Sequence, residues 1–536
     1  MLSSPAFIFI VAIVIIAFGG IYLFLWSGRS INGHPMRFDP AGVGKTNKTK
    51  SWLIEGTAAA GVPISCSFVE FDERGDFLDF NQHLACEDQL KHLAKSGKLI
   101  LVIYCHGWKN NSQSDDVPAF NCFLSKFATS KAIEGEGLRV HGVYLGWRGN
   151  NFRPYVNEQL AGGAYQQTVQ EFQGPIVDKA YHRSNSPLWF VPENLSYWDR
   201  KGAAETRAAA LPLARSIFTY AAAAKAYGGQ PENRVCVMAH SFGALMLERS
   251  LGQAMTGGIT MEWWDQDNPA GEAPTSRTGK LPFDFVLFVN SAAPAIYAKE
   301  MRDFLEAHRH ALANAKDPDA DVPVIVSLTS TADWATGLFH PLGNGLARWS
   351  PSLRRVYTTG IFGEKQGDSF PTHPGIRQSE FYVTTPGHNR YLINHWIVKA
   401  DRPLPSDSSS DAIFRANLSS VVADPDVFYT SKAINPAAAW RVVNQAPYDP
   451  VTLDGMPLAM QKSNYWIVSC GKELIADHND IWSRTATEMY AALYRVVQAR
   501  RHRNPENQPP SEPPPEPPSS GEASQTAALP ANFGPA

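Results

Sequence analysis

Residues 235–247, VCVMAHSFGALML, constrain the fold more than any other stretch of the chain. An apolar, β-branched run (Val235, Cys236, Val237, Met238) stops at Ala239. His240, Ser241, Phe242 and Gly243 follow, and a helical pattern opens at Ala244. That order is strand, sharp turn, helix, with a serine at the tip of the turn. Strand and helix can close on such a turn only where the residues two before and two after the serine are small. Ala239 and Gly243 meet that need, with alanine in place of the commoner glycine.

The rest of the chain supplies a sheet for this turn to sit on. Pro63–Phe71 alternates like a strand, and 81–96 has helical spacing. Leu99–Cys105, LILVIYC, is a continuous apolar run, as expected of a strand covered on both faces. Further strands are expected at 138–145, 233–238, 283–289, 323–328 and 465–469. An Ala-rich helix is expected at 202–227, with Pro212 as a candidate kink, and a closing helix at 480–500. Strands separated regularly by helices predict an α/β fold with a doubly wound, mainly parallel sheet.

The two ends and one long interval stand outside this alternation. Residues 6–26 are an uncharged run of about 21 residues, enough to cross a bilayer as a helix. The rival reading is a cleaved signal peptide, but no positive charge precedes the run and no A-x-A-like site follows at once. Arg29, Arg37, Lys45, Lys48 and Lys50 follow it, so a single-pass membrane anchor would leave the bulk of the chain on the cytoplasmic side. The expected organisation is an anchor over 1–28, a basic juxtamembrane linker over 29–62 and a first core segment over 63–336. An insertion over 337–462 follows, a candidate cap or lid, then the last strand and helix over 463–503. Residues 504–536, which include PPSEPPPEPPSS, read as a disordered Pro-rich tail and a candidate site for a protein partner.

Several function classes fall away. With 48 basic and 51 acidic residues the net charge is −3, which gives no electrostatic case for nucleic acid. GVGKT at 42–46 lacks the first glycine of a phosphate-binding loop, since Asp39 stands there, and no strand leads into it. There is no H-E-x-x-H and no Cys/His cluster with zinc spacing, so no metal is expected. No G-x-G-x-x-G opens a helix after the first strand, so no dinucleotide cofactor is expected either. The six cysteines contain no C-x-x-C pair. Cys105, Cys236 and Cys470 lie in strand-like runs and read as buried thiols, which argues against an oxidising compartment. N-x-S/T triplets at Asn47, Asn110, Asn194 and Asn417 are near background and do not indicate secretion.

Three features give Ser241 a chemical context. A serine hydroxyl needs a base before it is a useful nucleophile. Acyl transfer also needs backbone N–H groups aimed at the developing oxyanion. Phe242, directly after the serine, offers one. The turn His106-Gly107-Trp108 after the Leu99–Cys105 strand offers another, chiefly at Trp108, with Gly107 letting the backbone turn and His106 ordering the loop. Asp333 follows the 323–328 strand on the carboxyl edge of the sheet, where it is either the acid of a triad or a helix N-cap. His478 lies between the last strand and the last helix, within reach of a neighbouring strand end. His373, His388 and His395 are its rivals inside the insertion, and His388 in Thr385-Pro386-Gly387-His388-Asn389 is the best of them. His240, adjacent to the serine, faces the wrong way to be the base.

In order, strand-HGW, strand-GWRG, strand-AHSFGA, strand-TSTAD and strand-loop-HNDIW resemble an α/β-hydrolase over about residues 65–500. The chain is similar in particular to serine hydrolases whose strand ends read HGW-x-N-N (His106, Gly107, Trp108, Asn110, Asn111) and W-R-G (Trp147, Arg148, Gly149). The resemblance implies Ser241 as nucleophile, Asp333 as acid and His478 as base, with no metal and no organic cofactor. It implies an esterase- or lipase-like activity on a small-molecule or lipid ester. Two alternatives stay open: a membrane-tethered, non-catalytic binding module on the same fold, and an acyltransferase or amidase that shares the triad.

Overall fold

The structure is a computed structural model. It describes residues 37–38, 50–149 (less 59–60, 73, 97, 113, 115 and 131–137), 197, 200–256 (less 209–210 and 227–232), 283–307, 324–340, 378–399 (less 390–391), 440–444 and 465–501, together with Gly19. Apart from Gly19, the apolar run at 6–26 lies outside the described residues, as do GVGKT, the Pro-rich tail and most of the insertion. Among the described residues, no helix is long and apolar enough to cross a membrane.

The fold is α/β, with helices on both faces of a ten-stranded sheet. In chain order the elements are β1 (Leu53–Thr57), β2 (Pro63–Phe71), α1 (Phe80–Ser96), β3 (Leu99–Cys105), α2 (Asp116–Ala128) and β4 (Arg139–Trp147). Then come α3 (Leu211–Ala226), β5 (Arg234–His240), α4 (Phe242–Thr256), β6 (Phe285–Val289), α5 (Ala295–Ala307) and β7 (Ile325–Ser330). The series closes with α6 (Gln378–Val383), β8 (His395–Lys399), β9 (Trp440–Asn444), β10 (Tyr465–Cys470) and α7 (Arg484–Arg501). The sheet order is β9-β8-β10-β7-β6-β5-β3-β4-β2-β1. All neighbours are parallel except the two outermost pairs, β9 with β8 and β1 with β2.

Apolar strands buried on both faces drive this arrangement. All residues of β3, β6, β7 and β10 are buried. One apolar layer packs Leu101, Ile103, Val237 and Phe288 against α1, α3, α4 and α5. The other packs Ile100, Val102, Met238 and Leu287 on the side covered by α2 and α7. The alternating stretch Pro63–Phe71 forms strand β2, which is buried from Ile64 onward. Its polar residues are satisfied inside: Ser65 Oγ meets His141 Nδ1 at 2.7 Å, and Gln82 Nε2 donates to Glu70 at 3.0 Å.

The described residues add three features to the expected organisation. The stretch read as a linker contains edge strand β1. Its Arg37 is buried, with the guanidinium 3.8 Å over the Phe68 ring and Nε donating to Ser112 O at 2.8 Å. The helix expected at 202–227 is divided: Ala203–Ala208 is a π-helical turn, and α3 starts at Leu211, so Pro212 lies in a first turn where its missing N–H costs nothing. The described parts of the insertion lengthen the sheet, because β8 pairs with β10 and β9 covers β8, so β10 has a strand on either side.

The topology also sets the carboxyl ends of β3 and β5 side by side. From β3 the chain steps one way to β4, then crosses to the other side of β3 for β5 and continues outward through β6 and β7. The carboxyl ends of β3 and β5 therefore form a switch point, where open α/β sheets present their sites. His106-Gly107-Trp108 and Ser241 stand at those two ends.

Candidate active site

Ser241 joins β5 directly to α4 with φ at 55°, in the left-handed region that a non-glycine residue adopts at a cost. Neighbouring elements hold it there. Ser241 N donates to Val289 O at 3.1 Å, and Ser241 O accepts from Leu245 N at 3.1 Å and Ala292 N at 3.2 Å. Gly243 shows why the position after the turn is small: a Cβ there would lie 2.3 Å from Cys105 O and 2.5 Å from His106 O. Those are backbone atoms and cannot give way. Ala239 is fully buried and pairs with Cys105 and Phe288, so its methyl is accommodated within the sheet.

Two residues distant in sequence converge on the serine. His478 Nε2 lies 2.8 Å from Ser241 Oγ. His478 Nδ1 lies 2.9 Å from both oxygens of Asp333. The Nδ1–H donates to the carboxylate, which leaves the Nε2 lone pair to accept from the serine hydroxyl. Asp333 also takes the N–H groups of Ala335 (3.0 Å) and Thr336 (3.1 Å) and the Thr336 hydroxyl, at the start of the π-helical turn Ala335–Phe339. The roles of helix cap and partner to a histidine, posed as alternatives by the sequence, are combined in one side chain. Burial would push the Asp333 carboxyl up, but the adjacent His478 and the hydrogen bonds from His478 and Thr336 outweigh it and hold the pKa down to about 2.

The loop after β3 lies against the serine. A Cβ on Gly107 would come within 2.8 Å of both Ser241 Cβ and His240 Nδ1. The loop is braced by the end of β4. Trp147 N donates to His106 Nε2 at 3.0 Å, and Trp147 Nε1 donates to His106 O at 2.8 Å. With Nε2 accepting, the proton sits on His106 Nδ1 and is donated to Gly107 O at 2.9 Å. Burial lowers the His106 pKa to about 4, so the ring is neutral and the arrangement does not change near neutral pH. Lys109, with φ at 69°, donates its N–H to Gly149 O at 2.8 Å, and Gly149 N returns a bond to Asn110 O at 3.0 Å. The two strand-end motifs thus interlock. The Trp108 ring rests near Phe242 and Tyr197, with centroids 6.0 and 5.6 Å away.

The remaining histidines have other work. His240 Nε2 donates to the carbonyl of His478 at 2.8 Å. His388, in the short 3-10 turn Pro386–His388, bonds through Nδ1 to Thr385 Oγ1 at 3.0 Å, and its Nε2 faces Gly337. Its pKa is lowered chiefly by burial. His395 Nδ1 meets Asn394 Oδ1 at 2.7 Å and the ring stacks on Trp466. His373 lies outside the described residues.

Three residues of the site are not evident from sequence patterns. Thr336 holds the acid. Asn290 donates through Nδ2 to the His478 carbonyl at 3.1 Å. Glu248 is fully buried behind the serine turn, taking Tyr465 OH at 2.6 Å and Ser291 Oγ at 3.1 Å. Burial raises its pKa to about 7, against the pull of those two hydrogen bonds. A signal for Glu248 exists: it is an acid at helical spacing from Ala244, Leu245 and Leu251 on an apolar face. Among the described residues, no group of three or more His, Cys, Asp or Glu side chains is placed to hold a metal ion. All six cysteines are free, and all but Cys122 are buried. Comparison with known family models, curated proteins and solved structures finds no match for this chain.

Proposed function

We propose that this chain is a serine hydrolase of the α/β-hydrolase type, cleaving carboxylic esters by acyl transfer to water. The observation that carries the reading is the unbroken relay from Ser241 Oγ through the His478 ring to Asp333, with links of 2.8 and 2.9 Å. The sheet order supports it as well. An antiparallel first strand is followed by β2-β4-β3-β5-β6-β7-β10, with the serine after β5, the acid after β7 and the histidine after β10.

In this mechanism Ser241 Oγ attacks the ester carbonyl as His478 Nε2 takes its proton. The Asp333 carboxylate, ionised down to a pH of about 2, keeps the proton on Nδ1 and offsets the charge of the imidazolium. The oxyanion is received between the Gly107–Trp108 turn and the first turn of α4 at Phe242, whose N–H has no intrahelical acceptor. His478 returns the proton to the leaving alcohol and then activates the water that releases the acid. No metal or organic cofactor enters any step. An anchor over residues 6–26 would hold the site beside a bilayer, which makes lipid-derived esters the substrate class to examine first.

The test is hydrolysis of soluble esters of graded acyl length by the full chain and by Ser241→Ala. The reading expects turnover by the first and a loss of at least about 10³-fold in the second. Absence of turnover across the series, or equal turnover by both proteins, would refute it.

A further inference from the structure

We infer that Asn290 is a positioning residue that locks the loops of nucleophile, acid and base together, an inference that rests on the hydrolase reading above. Asn290 follows β6, which lies between β5 and β7, so it stands between the strand ends that carry Ser241 and Asp333. It is fully buried, and its φ of 47° is one that asparagine tolerates better than most residues with a side chain.

Each end of its amide is used. Oδ1 accepts the N–H of Ser330 at 3.0 Å, and Ser330 O in turn accepts the N–H of Asp333 at 3.1 Å. Nδ2 donates to His478 O at 3.1 Å and lies 3.4 Å from Asp477 O. One partner is a backbone donor and the others are backbone acceptors, so only one orientation of the amide satisfies them. The flanking main chain reaches the third loop. Val289 O takes the N–H of Ser241, Ala292 N donates to Ser241 O, and Asn290 N donates to Leu328 O at 2.9 Å. Behind this bracket, Ser291 Oγ donates to Glu248 and accepts from Ala293 N at 3.2 Å.

The consequence is mechanical. The carbonyl of His478 is held by two donors, Asn290 Nδ2 and His240 Nε2, so the ring keeps its 2.8 Å approach to Ser241 Oγ as it gains and loses a proton. Asparagine is the side chain that fits: aspartate keeps the acceptor for Ser330 but turns the donor into a second oxygen facing two carbonyls. Burial and the two carbonyls it would face push the introduced carboxyl up from its ordinary range, and its protonation would restore a donor toward His478. That gives the role a signature that simple loss of packing lacks.

The experiment measures the rate at which a fluorophosphonate probe labels the full chain, with Ser241→Ala as the control. Asn290→Asp and Asn290→Gly are compared with wild type at about pH 6 and about pH 8. Asn290→Gly tolerates the positive φ and serves if the aspartate variant does not fold. Wild type is expected to label at Ser241. Asn290→Asp should label about 10²-fold more slowly at the higher pH, with much of the deficit relative to wild type recovered at the lower. Asn290→Gly should be slow at both, with no recovery. Labelling of both variants at wild-type rate, or an equal deficit for Asn290→Asp at both pH values, would overturn the inference. Absence of wild-type labelling would overturn the hydrolase reading and this inference with it.

Discussion

Replacing Gly107 by alanine probes the contact between the loop after β3 and the serine. The added Cβ would stand 2.8 Å from Ser241 Cβ, 2.8 Å from His240 Nδ1 and 3.2 Å from His240 O. Ordinary contact begins about 0.6 Å further out, so the loop and the serine turn must separate by roughly that amount. Neither side yields easily. Gly107 O is tied to His106, whose ring and carbonyl are tied to Trp147. The serine turn is tied to Val289 and Ala292. A displacement approaching 1 Å costs about 10²-fold in rate, and loss of one oxyanion donor costs about 10²–10³-fold. Overpacking of this size costs about 1–3 kcal/mol in stability, which leaves a large domain folded. The expected outcome for Gly107→Ala is therefore a kcat on a soluble ester lower by about 10²-fold or more, KM changed far less, and a folded protein by circular dichroism. A kcat within about twofold of wild type would show that the loop does not bear on the reaction, and would refute the oxyanion assignment.

Further outcomes follow from other contacts. In Asp333→Asn the amide oxygen stays with the N–H groups of Ala335 and Thr336, which puts an NH₂ in the place of Oδ2, 2.9 Å from His478 Nδ1, removes the negative charge and favours the tautomer with the proton on Nε2. Ester kcat should fall by about 10⁴-fold, and a loss below about tenfold would contradict the tautomer argument. Glu248 is an acid whose pKa is raised from 4.5 to about 7 by burial, so its stabilising contribution is fully present below about pH 4.5 and is lost as pH rises through about 7. The loss is on the order of 3 kcal/mol. In Glu248→Gln the fall of Tm across that window should flatten, and an unchanged slope in thermal melts at a series of pH values would count against it. Gly243→Ala should give little soluble protein or a sharply lowered Tm, since its Cβ meets two carbonyl oxygens that the sheet fixes. Near-normal melting of that variant would mean the strand–helix approach is looser than described.

The parts of the site written in local chemistry were legible in the sequence. Ser241, flanked by Ala239 and Gly243 between an apolar strand and a helix, declares its own turn, and the continuous run of β3 declares a strand covered on both faces. The order of the strand-end motifs pointed to Asp333 and His478. What was hidden depends on contacts between loops far apart in the chain. Asn290 meets partners 40 and 188 residues away, and nothing in FVLFVNSAAP marks its amide as shared. Strands β8 and β9 are five residues each, within a stretch of sequence that carries no clear repeat, and their pairing is set by the open side of β10 rather than by their own pattern. Arg37 reads as one charge in a basic run, yet the Phe68 face and the Ser112 carbonyl draw it inside. Thr336 became visible only once Asp333 had a position in space, and Glu248, an acid on an apolar helix face in the sequence, acquired its partners Tyr465 and Ser291 only in the fold.

The proposed hydrolase chemistry stands on Ser241 as a nucleophile driven by His478 and Asp333. Mass spectrometry of the full chain after treatment with a fluorophosphonate reports on it at the atom concerned, because the probe phosphonylates an activated serine far faster than an ordinary hydroxyl. A single phosphonylated site is expected on the peptide containing His240-Ser241-Phe242, with labelling abolished in Ser241→Ala and slowed by orders of magnitude in Asp333→Asn. Modification at another serine, or none at Ser241 in the folded wild-type chain, would contradict it.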